Sequence, residues 1–266
     1  ARNMTVSERV LELWRFREVI RNFVSQDLKV KYRRSSLGFL WSMLNPLLMM
    51  IVLSVVFSHL FDMRGGLKSY TLYLLSGALP WTFFAATVDG CSVSIIESEG
   101  YAKRQYFPKL VFPLSRLGQH LVTLILSMVA LLAVMGPFID FQLSPALAVL
   151  PLSFLCLIAI SLGVGATVAA MTVYFRDTQH LVQVALTAFY FLTPILWPMS
   201  AQSERRHIYF KMNPMYHVLE MFRAPIYRGE WPAGLETAVA IGTSIAALII
   251  GLAIFWNRED DLIFRL

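Results

Sequence analysis

The sequence has few charged residues and groups them at intervals. Lys, Arg, Asp and Glu make up 15% of the 266 residues, against about a quarter in soluble domains. A helix of about 20 apolar residues crosses the hydrocarbon core of a bilayer. Six stretches of 20 residues or more contain no charged residue: 35–61, 69–88, 117–139, 141–175, 178–203 and 237–257. This scarcity of charge excludes an ordinary soluble domain and predicts a protein that works in a membrane.

Cysteine and histidine are also scarce. The two cysteines, Cys91 and Cys156, cannot build a disulfide framework and lack the spacing of a metal site, so we expect two small buried hydrophobes. An intramembrane transferase would need an Asp pair or a His–Asp cluster facing one leaflet. The five histidines are scattered: His59, His120, His180, His207 and His217. We therefore expect no catalytic residues and no metal in this chain.

A nucleotide-binding loop is missing too. No Gly-x-x-x-x-Gly-Lys-Ser/Thr segment occurs, so the chain cannot cradle ATP phosphates in that way. We expect no cofactor here, and any ATP and Mg²⁺ must be bound by a partner chain. The net charge of +6 does not indicate nucleic acid as a partner, because the basic residues lie at the ends of the apolar stretches. That pattern is typical of membrane proteins beside anionic lipid.

The apolar stretches predict an all-α polytopic membrane protein with six transmembrane helices. Nine of the 23 Lys and Arg residues lie within 1–36, and two lie in the loop after the first span. The positive-inside rule then predicts that both termini lie in the cytoplasm. We expect the spans to lie in the inner (plasma) membrane. We divide the chain into an interface helix, 1–34, and a transmembrane domain, 35–266. The spans are expected at about 36–60, 70–96, 115–138, 147–173, 179–199 and 234–256.

The N-terminal segment predicts an amphipathic cytoplasmic helix with one broad apolar face. Four cations follow that face: Lys29, Lys31, Arg33 and Arg34. Two interpretations stay open. The helix is either an anchor that obeys the positive-inside rule, or it lies on the cytoplasmic leaflet beside a substrate entrance. In the second case the cations would hold a lipid diphosphate.

Two further segments are not spans. Residues 97–116 form a cytoplasmic loop with several aromatic residues and two prolines, which predicts a short helix that docks on a partner. Residues 200–233 are too apolar and aromatic for an ordinary external loop. We expect them to fold back on the membrane as short re-entrant helices.

Five short motifs occur in order along the six spans. The first, 31–38 (KYRRSSLG), is followed by Trp41 and Pro46. The others are 75–81 (LSGALPW), 174–177 (YFRD), 193–195 (TPI) and 213–216 (NPMY). Together they cover nearly the whole chain and resemble the ABC-2 permeases that export polysaccharide. The likeness is closest to the permease subunits of O-antigen exporters, with teichoic-acid and capsule permeases as relatives.

This resemblance implies a homodimer that carries two copies of a cytoplasmic ABC ATPase. The dimer would export a glycan carried on undecaprenyl diphosphate, although an ABC-2 exporter of a smaller lipid or drug is the alternative. The resemblance makes segment 97–116 a coupling helix and the external segment a gate. The coupling candidates are Glu97, Tyr101, Tyr106, Phe107, Arg176 and Asp177, and the gate candidates are Asn213, Pro214, Met215 and Tyr216. Arg176 and Asp177 could instead be a local ion pair that closes span four.

Aromatic residues are the candidates for a sugar pathway. Their rings offer apolar faces to sugar C–H groups without binding one sugar tightly. The candidates are Trp41, Trp81, Phe189, Tyr190, Phe191 and Trp197. The alternative is a lipid-facing interfacial belt, which Trp and Tyr form in many membrane proteins. Asp89, an acid inside span two, is expected to be a hydrogen-bonded structural group.

Overall fold

The computed structural model describes residues 5–31, single positions between 41 and 56, and 66–104, 106–135, 144–196 and 209–262. These residues are helical, with turns and no strand. We number the helices α1 (Val6–Arg15), α2 (Arg17–Lys31), α3 (Gly66–Glu97), α4 (Glu99–Arg104), α5 (Val111–Met135), α6 (Leu150–Tyr174), α7 (Thr178–Leu192), α8 (Pro214–Arg223) and α9 (Gly234–Leu262). A 3₁₀ turn, Pro145–Val149, precedes α6, and a π-helical turn, Ala224–Arg228, follows α8.

The N-terminal segment forms two consecutive helices instead of the single helix predicted. The first begins with a capping box, in which Thr5 accepts a hydrogen bond from the Glu8 N–H and Glu8 accepts one from the Thr5 N–H. This reciprocal pair satisfies two backbone donors at the helix start. Phe16 is the C-cap of α1, and α2 begins at the next residue.

Three segments of the described chain are long and apolar enough to cross a membrane: Leu72–Glu97, Pro145–Tyr174 and Gly234–Glu259. They coincide with predicted spans two, four and six. Helix α5 covers most of predicted span three. Span one lies outside the described residues except for single positions, so the count of six stays a prediction.

Helix α7 is shorter than predicted span five and ends at Leu192 rather than 199. Thr193 has extended backbone angles (φ −106°, ψ 132°) because the residue before a proline is disfavoured in the helical region. Pro194 itself has no N–H for a helix hydrogen bond. Fifteen residues rise only about 22 Å, less than the bilayer core of about 30 Å. Residues 197–199 lie outside the described part.

Glycines let α6 approach its neighbours closely. A side chain at Gly163 would overlap the backbone of Ala247 in α9, and one at Gly251 would overlap the backbone of Gly163. On the neighbouring side of α6, Gly165 faces Cys91 of α3. Small residues at such crossings bring helix backbones together and are the usual means of helix packing in membranes.

The described residues form two buried clusters, which include opposite ends of α3. One includes Tyr70 at the start of α3 and most apolar residues of α8, and the other includes Ile95 near the end of α3. Helices α1 and α2 pack against the second cluster through Leu13, Phe16, Val19 and Phe23. The 26 residues from Tyr70 to Ile95 span about 38 Å of helix. The two candidate sites described next therefore lie at opposite ends of α3.

Candidate coupling, pathway and gate sites

Segment 99–112 rests on an aromatic base formed with α2. Phe107 is buried, and its ring lies 5.9 Å from Phe16, 6.4 Å from Phe23 and 6.3 Å from Phe112, measured between centroids. Edge-on ring contacts at these distances are favourable beyond the burial of area alone. We call segment 99–112, with the parts of α1, α2 and α9 that contact it, the coupling platform.

Two tyrosines of the platform point outward. Tyr101 is 49% exposed and packs its ring edge against Phe23, while Tyr106 is 65% exposed and donates its hydroxyl to Glu12 at 3.2 Å. Among the predicted coupling residues, Phe107 therefore belongs to the core and the tyrosines form the accessible surface. Large exposed rings on a rigid base are well suited to protein contacts.

Ion pairs link the helices around segment 99–112 to one another, and a backbone hydrogen bond joins the segment to α9. Glu259 of α9 accepts the Lys109 backbone N–H at 3.0 Å and pairs with Arg9 of α1 at 3.0 Å. Arg116 of α5 pairs with Asp27 of α2 at 3.0 Å and with Glu97 of α3 at 2.6 Å. Because Arg116 bridges two carboxylates, the predicted coupling residue Glu97 is held to α2 through it.

Charges around α4 differ in how they are held. Lys109 is buried, its Nζ donates to the Phe107 carbonyl at 2.9 Å, and burial lowers the pKa of its ammonium group. The hydrogen bond from Lys103 lowers the pKa of Glu99, and Arg176 adds to that effect from the neighbouring loop. Within the described residues Arg176 forms no ion pair with Asp177, which is the N-cap of α7 but makes no side-chain capping hydrogen bond.

The lipid-diphosphate entrance is only partly described. Lys29 is exposed on α2, and the backbone of Lys31 ends that helix. Arg33 and Arg34 lie outside the described residues. The entrance therefore stays a prediction.

The aromatic pathway candidates fall into two groups. Trp81 is 5% exposed and packs against Tyr190 of α7, with ring centroids 5.9 Å apart. Phe189 and Phe191 are 40% and 56% exposed, and Trp41 is 42% exposed. Trp197 lies outside the described residues. Near its end, α7 thus exposes the rings of Phe189 and Phe191 on its outer surface. Trp81 is buried and packs against the same helix from the inside.

An apolar cavity of about 280 Å³ joins the pathway candidates to the gate candidates. Phe189 lines it from α7, and Pro214 and Met215 line it from the start of α8. Its lining is almost entirely hydrocarbon, so it suits an apolar chain rather than a sugar. Elsewhere between α3 and α7, Asp89 accepts a hydrogen bond from Gln183 at 3.1 Å, the kind of contact expected of a structural acid.

The gate candidates begin a buried helix. Asn213 accepts a hydrogen bond from the Met215 N–H at 2.9 Å and so caps α8, with Pro214 at the first helical position. Its amide group also donates to Thr193 Oγ1 at 2.8 Å. Met215 and Tyr216 are 1% and 5% exposed. Asn213 therefore joins the start of α8 to the end of α7, and the next three residues form the first turn of that helix.

Sequence reasoning missed a buried ionic group on α8. Glu220 and Arg223 are 5% and 1% exposed and pair at 3.3 Å, and Arg228 pairs with the same carboxylate at 2.7 Å. The available signal was an acid and a base three residues apart in an otherwise apolar stretch, since such residues are neighbours on a helix.

Comparison with known proteins places the chain in a family. Residues 18–227, more than three quarters of the sequence, match the family described as ABC-2 type transporter. The chain belongs to the ABC-2 type transporter family. The match runs from α2 through the π-helical turn after α8, so it includes the platform and gate segments. The resemblance drawn from the five motifs is thus confirmed. The prediction of a membrane protein is confirmed as well.

Named relatives of this ABC-2 chain are polysaccharide permeases. It is 30% identical over 260 residues to the O-antigen export system permease protein RfbA of Myxococcus xanthus, covering 95% of this chain and 96% of that protein. It is 29% identical to the Klebsiella pneumoniae protein of the same name, over 87% and 88% of the two chains. The polysialic acid transport protein KpsM of Escherichia coli is 23% identical, over 90% and 92%.

Proposed function

We propose that this ABC-2 chain is the membrane-spanning subunit of an ATP-driven exporter. Its cargo is an O-antigen-like polysaccharide carried on undecaprenyl diphosphate, which crosses the inner membrane from the cytoplasmic side. The observation that carries this proposal is the end-to-end similarity to an O-antigen export permease, 30% identity over 95% of the chain. A partial match would support only a shared membrane fold.

The partners proposed are a second copy of this chain and two copies of a cytoplasmic ABC ATPase. The ATPase supplies the site for ATP and Mg²⁺. The coupling platform supports this arrangement, because Tyr101 and Tyr106 present exposed rings on a base tied to α1, α2, α5 and α9. A rigid element held by several helices can pass a domain motion into the membrane.

The proposed route begins at the cytoplasmic cations Lys29, Lys31, Arg33 and Arg34. It continues along the aromatic surface of α7 and ends beneath α8, which acts as the external gate. The exposed rings of Phe189 and Phe191 support this route because a homodimer would cover them and create an aromatic-lined space between copies. Both termini lie in the cytoplasm in this proposal.

Deletion of the gene in the cell that encodes this chain tests the function. The surface polysaccharide should disappear, and undecaprenyl-diphosphate-linked glycan should accumulate on the cytoplasmic side, because synthesis continues without export. Restoring this chain should restore the surface glycan only when the ATPase partner can hydrolyse ATP. Unchanged surface glycan after deletion would contradict the proposal.

A capsule or teichoic-acid cargo is the second candidate, and the 23% identity to a polysialic acid transport protein favours the capsule version. The O-antigen-like cargo and the capsule version can be distinguished by the lipid that accumulates after deletion. Glycan on undecaprenyl diphosphate supports the O-antigen-like cargo. Glycan on another lipid supports the capsule version, and accumulation of a small lipid without glycan would support a lipid or drug exporter.

A further inference from the structure

Beyond the end of α7, three successive carbonyl groups accept hydrogen bonds from side chains of two other helices. The Tyr73 hydroxyl donates to the Pro194 carbonyl at 3.1 Å, and the Tyr70 hydroxyl donates to the Leu196 carbonyl at 2.7 Å. Between them, Arg223 Nη2 of α8 donates to the Ile195 carbonyl at 3.3 Å. We call these three contacts the carbonyl clamp. Backbone carbonyls in a buried site need such partners.

Arg223 is the only one of the three donors that comes from α8. Its guanidinium carbon lies 4.2 Å from the centroid of the Tyr73 ring, and Nη1 donates to Glu220 at 3.3 Å. Its Nε is buried and has no hydrogen-bond partner among the described residues. Burying an incompletely satisfied arginine costs stability that an apolar side chain would not cost. A role beyond stability would account for its presence.

The neighbouring helix leaves room for this guanidinium. A Cβ built on Gly77 of α3 would lie 2.5 Å from Arg223 Nη2. Any larger residue at position 77 would therefore push the guanidinium away from the clamp. A substitution there can displace Arg223 without removing its charge.

Helix α8 is attached to the end of α7 at both of its ends. Asn213 holds the first turn through Thr193, and Arg223 holds the last turn through the clamp. Beyond Arg223 the chain forms the π-helical turn and then Gly229, whose φ of 70° is left-handed. A π-helical turn is a rare, weakly bonded element that often marks a functional site. When Arg223 leaves Glu220, Arg228 still pairs with that carboxylate at 2.7 Å.

We infer that Arg223 is a positioning residue that holds α8 against the end of α7, and that release of the Arg223 contacts, with the two tyrosine contacts of the carbonyl clamp kept, frees α8 to move. This inference rests on the proposed function for the meaning of that movement, which is the opening of the external gate. The contacts that break are those of Arg223 with the Ile195 carbonyl, the Tyr73 ring and Glu220. The tyrosines stay on α3 and keep the Pro194 and Leu196 carbonyls satisfied.

The test measures how accessible buried α8 becomes. Val218 is 0% exposed, so Val218→Cys reports on α8 in a background of Cys91→Ala and Cys156→Ala. The full complex with its ATPase is placed in lipid nanodiscs without nucleotide, and the rate of modification by a membrane-impermeant maleimide is followed. Arg223→Met should raise that rate about tenfold or more, because a charged hydrogen-bonded group is lost.

Arg228→Met is the matched control, since it removes an arginine from the same carboxylate but leaves the clamp intact. It should raise the labelling rate by no more than about twofold, because the Arg228 side chain is 38% exposed and Glu220 keeps Arg223 as a partner. Equal acceleration by Arg223→Met and Arg228→Met would overturn the inference, because the effect would then be a general loss of charge pairing.

Gly77→Ala keeps the inference testable if Arg223→Met fails to fold. It should by itself speed labelling by displacing the guanidinium, and an unchanged rate in this single variant would contradict the inference. Where Arg223→Met does fold, Gly77→Ala should add nothing to it, because both changes act on one contact. Additive effects would contradict the inference. Labelling needs no glycan, so the outcome is independent of the cargo. A labelling rate that Arg223→Met leaves unchanged would refute this inference but not the proposed function. Unchanged surface glycan after gene deletion would refute the proposed function but not the role of Arg223.

Discussion

Arg9 of α1 and Glu259 of α9 lie 250 residues apart in the sequence and form an ion pair at 3.0 Å. The second oxygen of Glu259 accepts the backbone N–H of Lys109. One carboxylate thus joins the first helix, the coupling platform and the last helix. Because both side chains are only about one fifth exposed, the pair is screened less by water than a surface pair is.

Replacing Glu259 with Gln should lower the free energy of unfolding by about 1–3 kcal/mol, because the amide cannot pair with the Arg9 charge. Glu18→Gln is the control, since Glu18 is exposed and its two arginine partners are 3.9 Å away. That change should stay within about 0.5 kcal/mol. Denaturant unfolding in detergent measures both, and equal losses would show that Glu259 does not tie the platform together.

Tyr106 and Phe107 should separate docking from folding. Phe107→Ala should cost about 3–5 kcal/mol of stability, because the ring is buried in the aromatic base. Tyr106→Ala should change stability by less than about 1 kcal/mol but weaken ATPase binding about tenfold or more, since its ring faces outward.

The binding measurement uses purified subunits and the ATPase chain. Tyr209→Ala is its control, because Tyr209 is equally accessible, 73% exposed, and lies beside α8 at the other end of the bundle. Tyr209→Ala should leave ATPase affinity unchanged. Normal affinity in the Tyr106 variant would remove that residue from the docking surface.

A side chain at position 163 should destabilise the protein, whereas a side chain at position 242 should be tolerated. Gly163→Ala forces α6 away from the α9 backbone and should destabilise by about 1–3 kcal/mol. A Cβ at Gly242 meets nothing within 4 Å, so Gly242→Ala should stabilise by up to about 1 kcal/mol through better helix propensity. Thermal unfolding decides the matter, and shifts of the same sign would argue against the close α6–α9 crossing.

Lys109 should give stability an alkaline pH dependence. Burial lowers the pKa of Lys109 in the folded state, so the unfolded state binds the proton more tightly. Stability contributed by this residue should therefore rise with pH between the lowered pKa and the ordinary value of about 10.4. Lys109→Met should lack this rise. If the unfolding free energies of the two proteins run parallel through that pH range, Lys109 is not held as described.

Local features of the sequence were enough to predict the long helices. Runs without charge mark α3, α6 and α9, because the hydrocarbon core excludes unpaired charge. The motif at 213–216 was recognised in the sequence, but its role as the cap and first turn of α8 is visible only in the structure. Helix ends were less predictable. Helix α9 continues to Leu262 through charged residues, and Glu259 among them has partners that sequence distance hides.

The carbonyl clamp was beyond sequence reasoning for the same cause. Pro194 predicts a helix break. It does not predict that Tyr70 and Tyr73, more than 120 residues earlier, donate hydrogen bonds to the Leu196 and Pro194 carbonyls. Arg223 looks like a cation in an apolar loop, which is as consistent with lipid headgroups as with burial. Contacts between distant segments depend on how the helices pack, and a single sequence does not encode them in a local pattern.

The sidedness of the chain is the claim on which the coupling platform, the route and the gate all depend. Single cysteines at Arg21, on α2, and Met212, beside α8, report it, since these side chains are 81% and 77% exposed. A membrane-impermeant maleimide is added to spheroplasts whose inner membrane is intact. It should label Met212→Cys at once and Arg21→Cys only after the membrane is permeabilised. Labelling of Arg21→Cys in sealed spheroplasts, or protection of Met212→Cys, would contradict the account.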